Sequence, residues 1–386
     1  MLWINFLHFY QPANLEPEKI IEAAKKSYER IIRRLEKNPD AKFTANISGC
    51  LLLRLDEELK YGSLIKRISR LVKEGRLELT GSAAYHALLP LVKEEVAKEQ
   101  ILQNEEILKK YFGSDLKLPG FFLPEMAWSE KIARIIKNLG YEWIILDEIS
   151  ARGKLGAIDC GKVYRDEKSG LDVIFRNRQY SSGFVPGLIL KQLEKESEKT
   201  IVTATDAELY GLRHSDTKNS LKELMDNPSV KTLTVSSFIK DRAGGKEPVN
   251  LIPCSWESTE EELARNKPYA LWDNDDIIHN KLWELADLAQ DIYLNHKNKD
   301  ESFWSRWHLF RGLASCTFWW ASGKDFREIF GPVAWNPDET EKGVNELVRS
   351  VRSLEKHTSL EVKLSAERLA LDIKKMIWER HWKQYN

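Results

Sequence analysis

Short apolar runs alternate with longer amphipathic stretches over the first part of the 386-residue chain. Apolar runs of four to eight residues are typical of buried strands, and apolar positions recurring every three or four residues are typical of helices. The predicted strands are residues 3–7, 43–47, 77–80, 121–123, 143–146, 173–176, 201–204 and 232–235. The predicted helices between them are residues 17–36, 63–74, 94–111, 129–139, 185–196 and 220–225. This alternation predicts an α/β fold with a mostly parallel sheet under helices, and seven or eight repeats suggest a closed barrel.

The last third of the chain follows a different pattern, because only helical periodicity remains there. Helices are predicted at residues 277–294, 303–318, 341–354 and 364–385. A Gly pair and a proline in the polar loop 243–248 mark the clearest boundary, so we expect a catalytic domain at 1–245 and a helical domain at 246–386. Ten of the 13 tryptophans lie from Trp256 onward. They are either core residues between helices or aromatic faces that the helical domain contributes to a sugar site.

Composition excludes several function classes. Lys plus Arg and Asp plus Glu both number 59, so there is no basic surplus of the kind that nucleic-acid binding needs. No apolar stretch approaches the roughly 20 residues that span a bilayer, and the apolar N-terminus lacks a basic leader and cleavage site. The four cysteines are scattered without metal-site spacing. We therefore expect a cytoplasmic protein with reduced thiols, no bound metal, and neither a membrane nor a nucleic acid as partner.

Polar side chains gather where the predicted strands end. In a parallel barrel the active site forms at the C-terminal ends of the strands, so these positions are the candidates for chemistry. The candidates, in chain order, are His8, Tyr10, Gln11, Glu78, His86, Glu125, Trp128, Asp147, Glu148, Asp206 and Glu208. Carboxylates beside His, Tyr and Trp are typical of glycosidases.

Glycosidic bond cleavage explains these residue types. One carboxylic acid protonates the leaving oxygen and a second carboxylate acts on the opposite side of the anomeric carbon. A gap of about 5–5.5 Å between the carboxyls allows direct attack with retention, whereas a wider gap admits water and inverts the configuration. The acid needs a raised pKa, and Glu208 would supply a nearby negative charge to Asp206 if the strand continued and placed both side chains on one face.

The simpler structural interpretation stays open for some of these residues. A carboxylate just past a strand is often only a helix cap, which applies to Asp147, Glu148 and Glu78. Glu125 and Asp206 stand in apolar surroundings, Phe-Phe-Leu-Pro before the first and Ile-Val-Thr-Ala-Thr before the second. Apolar surroundings favour a functional role for these two acids. The candidate histidines are expected to bind sugar hydroxyls, with a role as core histidines as the alternative.

Five segments resemble the signature motifs of glycoside hydrolase family 57. The third and fourth motifs are matched by Gly-Phe-Phe-Leu-Pro-Glu-Met-Ala-Trp at 120–128 and Thr-Asp-Ala-Glu-Leu-Tyr-Gly at 205–211. The first is similar to His-Phe-Tyr-Gln-Pro at 8–12, and the second to Arg-Leu-Glu-Leu-Thr at 76–80 followed by His86. The fifth resembles Ser-Cys-Thr-Phe-Trp-Trp at 315–320. The resemblance spans most of the chain.

The resemblance implies an incomplete (β/α)7 barrel followed by a helical bundle, and a retaining mechanism without metal or organic cofactor. By position, the family's nucleophile falls on Glu125 and its acid/base on Asp206. The predicted substrate-binding residues are His8, Tyr10, Gln11, Glu78, His86, Trp128, Glu208, Trp319 and Trp320. Family members are mainly α-amylases, amylopullulanases, 4-α-glucanotransferases and branching enzymes, with some α-galactosidases.

Two departures from the family pattern affect specificity more than chemistry. The first motif usually has His directly before Gln-Pro, where this chain has Tyr10. The fifth usually has an Asp-Trp pair where this chain has Cys316 and Thr317. Both changes remove groups that would hold a sugar, and neither touches the two catalytic carboxylates.

The leading hypothesis is a retaining hydrolase of α-1,4 linkages in an α-glucan or maltooligosaccharide. A sister hypothesis is 4-α-glucanotransfer or branching, in which a sugar hydroxyl replaces water. A metal-dependent polysaccharide deacetylase or α-mannosidase would need clustered His and Asp ligands, and the sequence has no His-x3-His pair. A glucan-binding protein that has lost catalysis is the alternative suggested by Tyr10 and Cys316.

Overall fold

The computed structural model describes residues 1–196, 198–324, 326–327, 331–332 and 334–384. The chain divides into two compact units, one formed by residues 1–84 with 101–256 and the other by residues 85–100 with 257–386. Residues 246–256 therefore group with the first unit, and the short segment 85–100 groups with the second.

The first unit is built on parallel strands that follow the apolar runs of the sequence. Its strands are β1 (Leu2–Phe9), β2 (Phe43–Ile47), β3 (Leu77–Leu79), β4 (Gly120–Phe121), β5 (Trp143–Asp147), β6 (Tyr164–Asp166), β7 (Asp172–Arg176), β8 (Thr200–Asp206), β9 (Lys231–Thr232) and β10 (Glu247–Val249). Each predicted strand is confirmed, although the last is shorter because a helix begins at Val235. The short strands β6 and β10 were not predicted, since neither forms an apolar run.

Within the described residues these strands form two five-stranded sheets. The first has the order β3-β2-β1-β8, with β9 also paired to β1, and every pairing in it is parallel. The second has the order β10-β6-β7-β5-β4 and is parallel except between β6 and β7. The predicted α/β fold with a parallel sheet is confirmed.

Backbone hydrogen bonds link both edge strands of the first sheet, β3 and β8, to the second sheet. The Gly81 amide donates to Gly120 and the Phe122 amide donates to Gly81, each at 2.9 Å, just beyond β3 and β4. The Asn177 amide donates to Val202 at 2.9 Å, next to β7 and β8. The seven strands β1, β2, β3, β4, β5, β7 and β8 are thus connected in sequence by ladders or single bridges.

Helices connect the strands of this unit and match the predicted amphipathic stretches. They are α1 (Pro17–Ala23), α2 (Glu29–Lys37), α3 (Gly49–Leu53), α4 (Gly62–Lys73), α5 (Glu94–Phe112, which begins in the second unit), α6 (Glu130–Asn138), α7 (Ile149–Arg152), α8 (Arg178–Ser181), α9 (Val185–Lys195), α10 (Ser220–Asp226) and α11 (Val235–Asp241). A π-helical turn, Ala24–Tyr28, joins α1 to α2. The predicted helix 17–36 is therefore one run with a widened turn inside it.

The core explains why β1 lies at the centre of its sheet. Residues 3–9 of this strand are buried, and the ring of Phe6 stacks on Phe122 with centroids 5.3 Å apart. Full burial of such a side chain stabilises the fold by about 1.5–3 kcal/mol. Strand β1 is therefore buried on both faces over residues 3–9, including the polar residue His8, which lies beside the last residue of β8.

The second unit is helical, as predicted. Its helices are α12 (Glu260–Ala264), α13 (Ile277–His296), α14 (Ser302–Gly312), α15 (Ser315–Trp319), α16 (Pro337–Arg352) and α17 (Leu360–Gln384). The expectation that strands cease after residue 275 is wrong in one place, because Phe326–Arg327 and Gly331–Pro332 form a short antiparallel pair. Residue 385, at the end of a predicted helix, lies outside the described residues. In the described part of the chain, no helix is both long and apolar enough to cross a membrane.

The junction between β3 and β4 offers a test of the packing. A Cβ at Gly81 would overlap the ring and hydroxyl of Tyr141, which is itself fixed by a 2.7 Å hydrogen bond to Glu105. We expect Gly81→Ala to lower the free energy of unfolding by about 1–3 kcal/mol, the usual effect of overpacking. Guanidinium denaturation measures the change. Gly244→Ala is the matched control, because its Cβ would meet nothing within 4 Å; equal midpoints for both variants would contradict the packing.

Candidate active site

Glu125 follows β4 on a turn with unusual backbone geometry. Glu125 and Met126 have φ values of 59° and 48°, in the left-handed region that side chains other than Gly rarely adopt. Such a conformation costs on the order of 1–3 kcal/mol per residue and persists only where neighbours hold it. Here the Trp256 amide donates to the Glu125 carbonyl at 2.9 Å, and the Trp128 amide donates to Cys254 at 2.8 Å. The segment 254–256 therefore fixes the turn that aims Glu125.

The same tryptophan holds the Glu125 side chain. The indole Nε1 of Trp256 donates a 2.9 Å hydrogen bond to Oε2 of Glu125. The carboxylate is partly exposed, whereas the neighbouring residues Pro124 and Met126 are buried. Glu125 is thus reachable from outside while one of its oxygens is fixed in direction.

Trp256 is in turn fixed by a buried ion network. The Arg176 guanidinium lies 5.0 Å from the Trp256 ring centroid and donates to the Trp256 carbonyl at 3.2 Å. Arg176 also pairs with Asp147 at 2.7 Å, and Arg178 pairs with the same carboxylate at 2.7 Å. Asp147 is fully buried, so its charge requires these two partners. Asp147 therefore supports the site through these two arginines and has no exposed surface of its own.

Glu148 also has partners within the protein. Its carboxylate accepts from the amides of Gly156 at 2.7 Å and Arg178 at 2.8 Å. The structural interpretation of Asp147 and Glu148 fits both sets of contacts.

Asp206 is the last residue of β8 and lies directly opposite His8 in the parallel register with β1. Its side chain is partly exposed, whereas His8 is buried. Burial lowers the pKa of His8 to about 4, although the charge of Asp206 opposes the shift. The Nδ1 atom of His8 lies 2.8 Å from Oδ1 of Asn46. The imidazole is therefore neutral near pH 7 and oriented by an amide.

One chain of contacts connects the two candidate catalytic carboxylates. Glu125 accepts from Trp256, the Trp256 ring meets the edge of His8 at a centroid distance of 6.1 Å, and His8 pairs with Asp206 in the strand register. His8 also stacks on Phe122 at 4.5 Å. Glu125 and Asp206 thus border the same aromatic cluster at the C-terminal ends of β4 and β8.

Glu208 does not lie on a continuation of the strand that carries Asp206. Strand β8 ends at Asp206, and a 3-10 turn, Ala207–Tyr210, follows. The side chain of Glu208 is buried and accepts hydrogen bonds from the Tyr28 hydroxyl and, at 2.6 Å, from Nε2 of Gln11. Burial, and then the charge of Asp206, raises the pKa of Glu208 to about 7, while the Tyr28 hydrogen bond opposes the shift. The turn rather than a continued strand brings the two acids near each other.

The other first-motif residues surround this acid pair. Gln11 donates to both Glu208 and the Tyr28 hydroxyl, at 2.6 and 3.2 Å. The ring of Tyr10 stacks on His8 with centroids 5.6 Å apart. In this structure Gln11 orients Glu208, and Tyr10 covers the imidazole.

Glu78 and Trp128 have partners inside the first unit. The Glu78 carboxylate accepts from Thr44 at 2.9 Å and from the Ser236 amide at 3.1 Å, and burial raises its pKa. Thr44 pairs with Phe6, two residues before His8, so Glu78 lies one layer nearer the N-terminal ends of the strands. The ring of Trp128 is only 1% exposed. Their roles in substrate binding stay predictions.

In the second unit, the second-motif histidine and the fifth-motif aromatics come together. His86 has a φ of 60°, accepts from the Ser315 amide at 2.9 Å, and places Nδ1 2.9 Å from the Ser315 hydroxyl. Helix α15 begins at Ser315 and carries Trp319 and then Trp320, both partly exposed, with ring centroids 6.3 Å apart. Segment 85–100 thus fixes the position of these rings within the unit.

Sequence reasoning missed several residues that shape the site. Trp256 was one of ten late tryptophans with nothing to single it out, and Arg176 was only the end of a predicted strand. Tyr28 lies inside the predicted helix 17–36, where its sequence neighbours give no sign of a polar partner. Among the described residues, no group of three or more His, Cys, Asp or Glu side chains is arranged to hold a metal ion.

The family model of glycosyl hydrolase family 57 matches residues 6–251, well over half of the chain. The chain belongs to this family. An α-amylase of Pyrococcus abyssi is 30% identical over 148 residues, which are 38% of this chain and 22% of that protein. The match therefore covers about a fifth of the length of this relative.

Solved structures of the family share the fold. A branching enzyme from Pyrococcus horikoshii superposes with a TM-score of 0.73 at 17% identity, covering 96% of this chain and 94% of that one. A 4-α-glucanotransferase from Thermococcus litoralis gives 0.70 at 17% identity, covering 91% and 60%. At these identities the similarity shows a common architecture.

The buried acid of this family member makes stability depend on pH. The folded-state pKa of Glu208, about 7, is raised above the unfolded value of about 4.3, so its stabilising contribution is complete below the unfolded pKa and is lost as pH rises through 7. We expect Glu208→Gln to gain thermal stability relative to wild type between pH 5 and pH 8.5. Glu223→Gln, at an exposed position, is the control and should follow wild type. A constant difference between Glu208→Gln and wild type at all pH values would contradict the assignment.

Proposed function

We propose that this chain is a retaining glycosidase of α-glucans, with Glu125 as nucleophile and Asp206 as general acid/base. One observation carries the proposal. The Glu125 carboxylate is fixed by the Trp256 indole on a strained turn, and the same indole meets His8, the strand partner of Asp206. Strain concentrated at an accessible carboxylate is typical of catalytic positions.

The environment of Glu125 suits a nucleophile. An N–H donor favours the ionised form of a carboxylate and fixes the direction of its oxygens. The Arg176 guanidinium lies 5.0 Å from the centroid of the Trp256 ring and adds positive charge on the side of the ring that it faces. A carboxylate fixed in direction by such a donor is placed to attack an anomeric carbon.

The environment of Asp206 suits an acid/base. The neutral imidazole of His8 is its partner in the strand register, and the charge of the buried acid Glu208 interacts with its own. In the first step Asp206 donates its proton to the glycosidic oxygen while Glu125 forms a bond to the anomeric carbon. In the second step Asp206 takes a proton from water, whose oxygen displaces Glu125, and the original anomeric configuration is restored.

The proposal also includes a barrel architecture and a set of substrate-binding residues. The bridges that join the two sheets support an incomplete (β/α)7 barrel made of β1, β2, β3, β4, β5, β7 and β8. The substrate is an α-1,4-linked glucan or maltooligosaccharide. His86, Trp319 and Trp320 are proposed to bind its glucose units, because partly exposed indole rings suit the apolar faces of sugars.

Azide rescue would assign the two carboxylates. Glu125→Ala and Asp206→Ala should each lower the rate on maltoheptaose by roughly 10⁴-fold or more. With an activated aryl α-maltoside, azide should attack Glu125→Ala directly and give the β-glycosyl azide. In Asp206→Ala the glycosyl-enzyme still forms, so azide should give the α-glycosyl azide. NMR of the products distinguishes the two, and exchanged anomers would reverse the roles.

Product analysis tests the reaction itself. Maltoheptaose and amylose should yield shorter oligosaccharides whose new reducing ends are first α-anomers, seen by NMR before mutarotation. Oligosaccharides longer than the substrate would instead indicate glucanotransfer or branching. Unchanged rates after EDTA treatment are expected, and a loss would favour the metal-dependent alternative. Glucan binding without any product would favour a non-catalytic protein.

A further inference from the structure

We propose that Arg176 is a positioning residue for the reaction: its guanidinium joins the segment that holds Glu125 to the strand that carries Asp206, and so sets how the two carboxylates are aligned. The inference deepens the proposed function and rests on the roles that it gives to these two acids. Arg176 is only 5% exposed, so it offers a sugar almost no surface and acts through the backbone that it contacts.

One nitrogen of the guanidinium contacts the segment that holds the nucleophile. Nη2 of Arg176 donates to the Trp256 carbonyl at 3.2 Å, and Cζ lies 5.0 Å from the centroid of the Trp256 ring. Trp256 in turn makes two hydrogen bonds to Glu125, each of 2.9 Å, from its amide to the carbonyl and from its indole to Oε2. A displacement of Arg176 therefore reaches the Glu125 carboxylate through a single intervening residue.

A second nitrogen contacts the strand that carries the acid/base. Nη1 of Arg176 donates to the Ala204 carbonyl at 2.9 Å, two residues before Asp206 on β8. The Ala204 amide donates to the Ser181 hydroxyl at 3.2 Å. Strands β7 and β8 belong to different sheets, so these two side chains supply hydrogen-bond partners to both backbone groups of Ala204. Arg176 therefore fixes β8 close to its catalytic end.

The third nitrogen fixes the guanidinium itself. Nε of Arg176 donates to Oδ2 of Asp147 at 2.7 Å, and Asp147 is fully buried. A guanidinium is planar and its N–H donors point in fixed directions, so bonds to three different partners determine its position and orientation. The plane then sets the spacing between the Trp256 and Ala204 carbonyls. An ammonium, with rotatable donors on a flexible stem, would keep the charge and lose this rigid spacing.

Alignment matters because both carboxylates act at the same anomeric centre. In a retaining mechanism the nucleophile attacks that carbon directly while the acid protonates the leaving oxygen. A misplacement of about 1 Å costs on the order of a hundredfold in rate, even when it originates away from the chemistry. A residue that sets this alignment should therefore affect kcat far more than KM, whereas the loss of a ground-state contact with the sugar raises KM.

The kinetics of Arg176→Lys on maltoheptaose test the proposal. We expect kcat to fall by roughly a hundredfold and KM to change little, because the charge is kept and only the rigid fork is lost. In Arg176→Ala, guanidinium chloride at a concentration too low to unfold the protein should restore part of the rate, whereas ammonium chloride should not. A wild-type kcat, a loss expressed mainly in KM, or equal recovery with both salts would overturn the proposal.

Arg54→Lys is the matched control. Arg54 is 8% exposed and also donates to one carboxylate, that of Glu58, and to two backbone carbonyls, those of Ala13 and Leu15. These partners belong to neither of the two catalytic segments. We therefore expect thermal stability to fall as it does in the test variant, while kcat stays at the wild-type value. An equal loss of kcat in this control would mean that replacing any buried arginine suffices, and the proposal would fail.

A double-mutant cycle tests the route through Trp256. Trp256→Phe keeps a ring beside the arginine and removes the indole donor to Glu125. If Arg176 acts on Glu125 through Trp256, the two effects overlap, so the double variant with Arg176→Lys should lose less kcat than the product of the two single losses. Fold losses that simply multiply would overturn the proposal.

A further variant keeps the test valid if Arg176→Lys does not fold. Asp147→Asn leaves an acceptor oxygen for Nε of Arg176 but removes the charge that holds the guanidinium, so kcat should fall with little change in KM. An unchanged kcat would then overturn the proposal. Wild-type activity in both Glu125→Ala and Asp206→Ala would refute the proposed function itself. Inactive carboxylate variants beside a fully active Arg176→Lys would refute the present inference alone.

Discussion

The left-handed turn at Glu125 is the constraint on which the rest of the site depends. Two successive residues with positive φ store on the order of 1–3 kcal/mol each, and a single hydrogen bond returns only about 1 kcal/mol. Trp256 supplies a backbone and a side-chain hydrogen bond to Glu125, and Arg176 holds Trp256 from beneath. The turn at Glu125 therefore depends on Trp256, and Trp256 depends on Arg176. The buried Asp147 is the anion that keeps Arg176 in place.

The two buried acids of the site, Asp147 and Glu208, have opposite kinds of partners. Asp147 has two guanidinium partners, which fully compensate its charge. Glu208 has only neutral donors in direct contact, Tyr28 and Gln11. Burial and the charge of Asp206 raise the pKa of Glu208 to about 7, and the neutral donors in contact with it only partly oppose the shift. Asp147 thus holds the two arginines in place, whereas Glu208 is the acid whose pKa lies near neutrality.

Sequence patterns predicted the strands well because β1, β2, β5 and β8 are buried on both faces and read as apolar runs. Neither a π-helical turn nor a positive φ leaves a periodic signal, so the positions of Tyr28 and Glu125 could not be predicted. The motif resemblance found Glu125 and Asp206 as candidates, but it could not show that Gln11 orients Glu208. Trp256 stands only five residues beyond the segment that the family model matches, and its role depends on a contact across 131 positions of sequence.

The departure at Tyr10 fits this electrostatic arrangement. The family's first motif usually has a histidine there, and a second imidazole stacked on His8 would add a group that titrates near neutrality. Tyr10 keeps an aromatic ring at 5.6 Å and 18° to His8 without adding such a group. Burial lowers the pKa of His8 itself to about 4, so this imidazole is neutral near pH 7. Tyr10 therefore preserves the stacking on His8 without adding a second imidazole at this position.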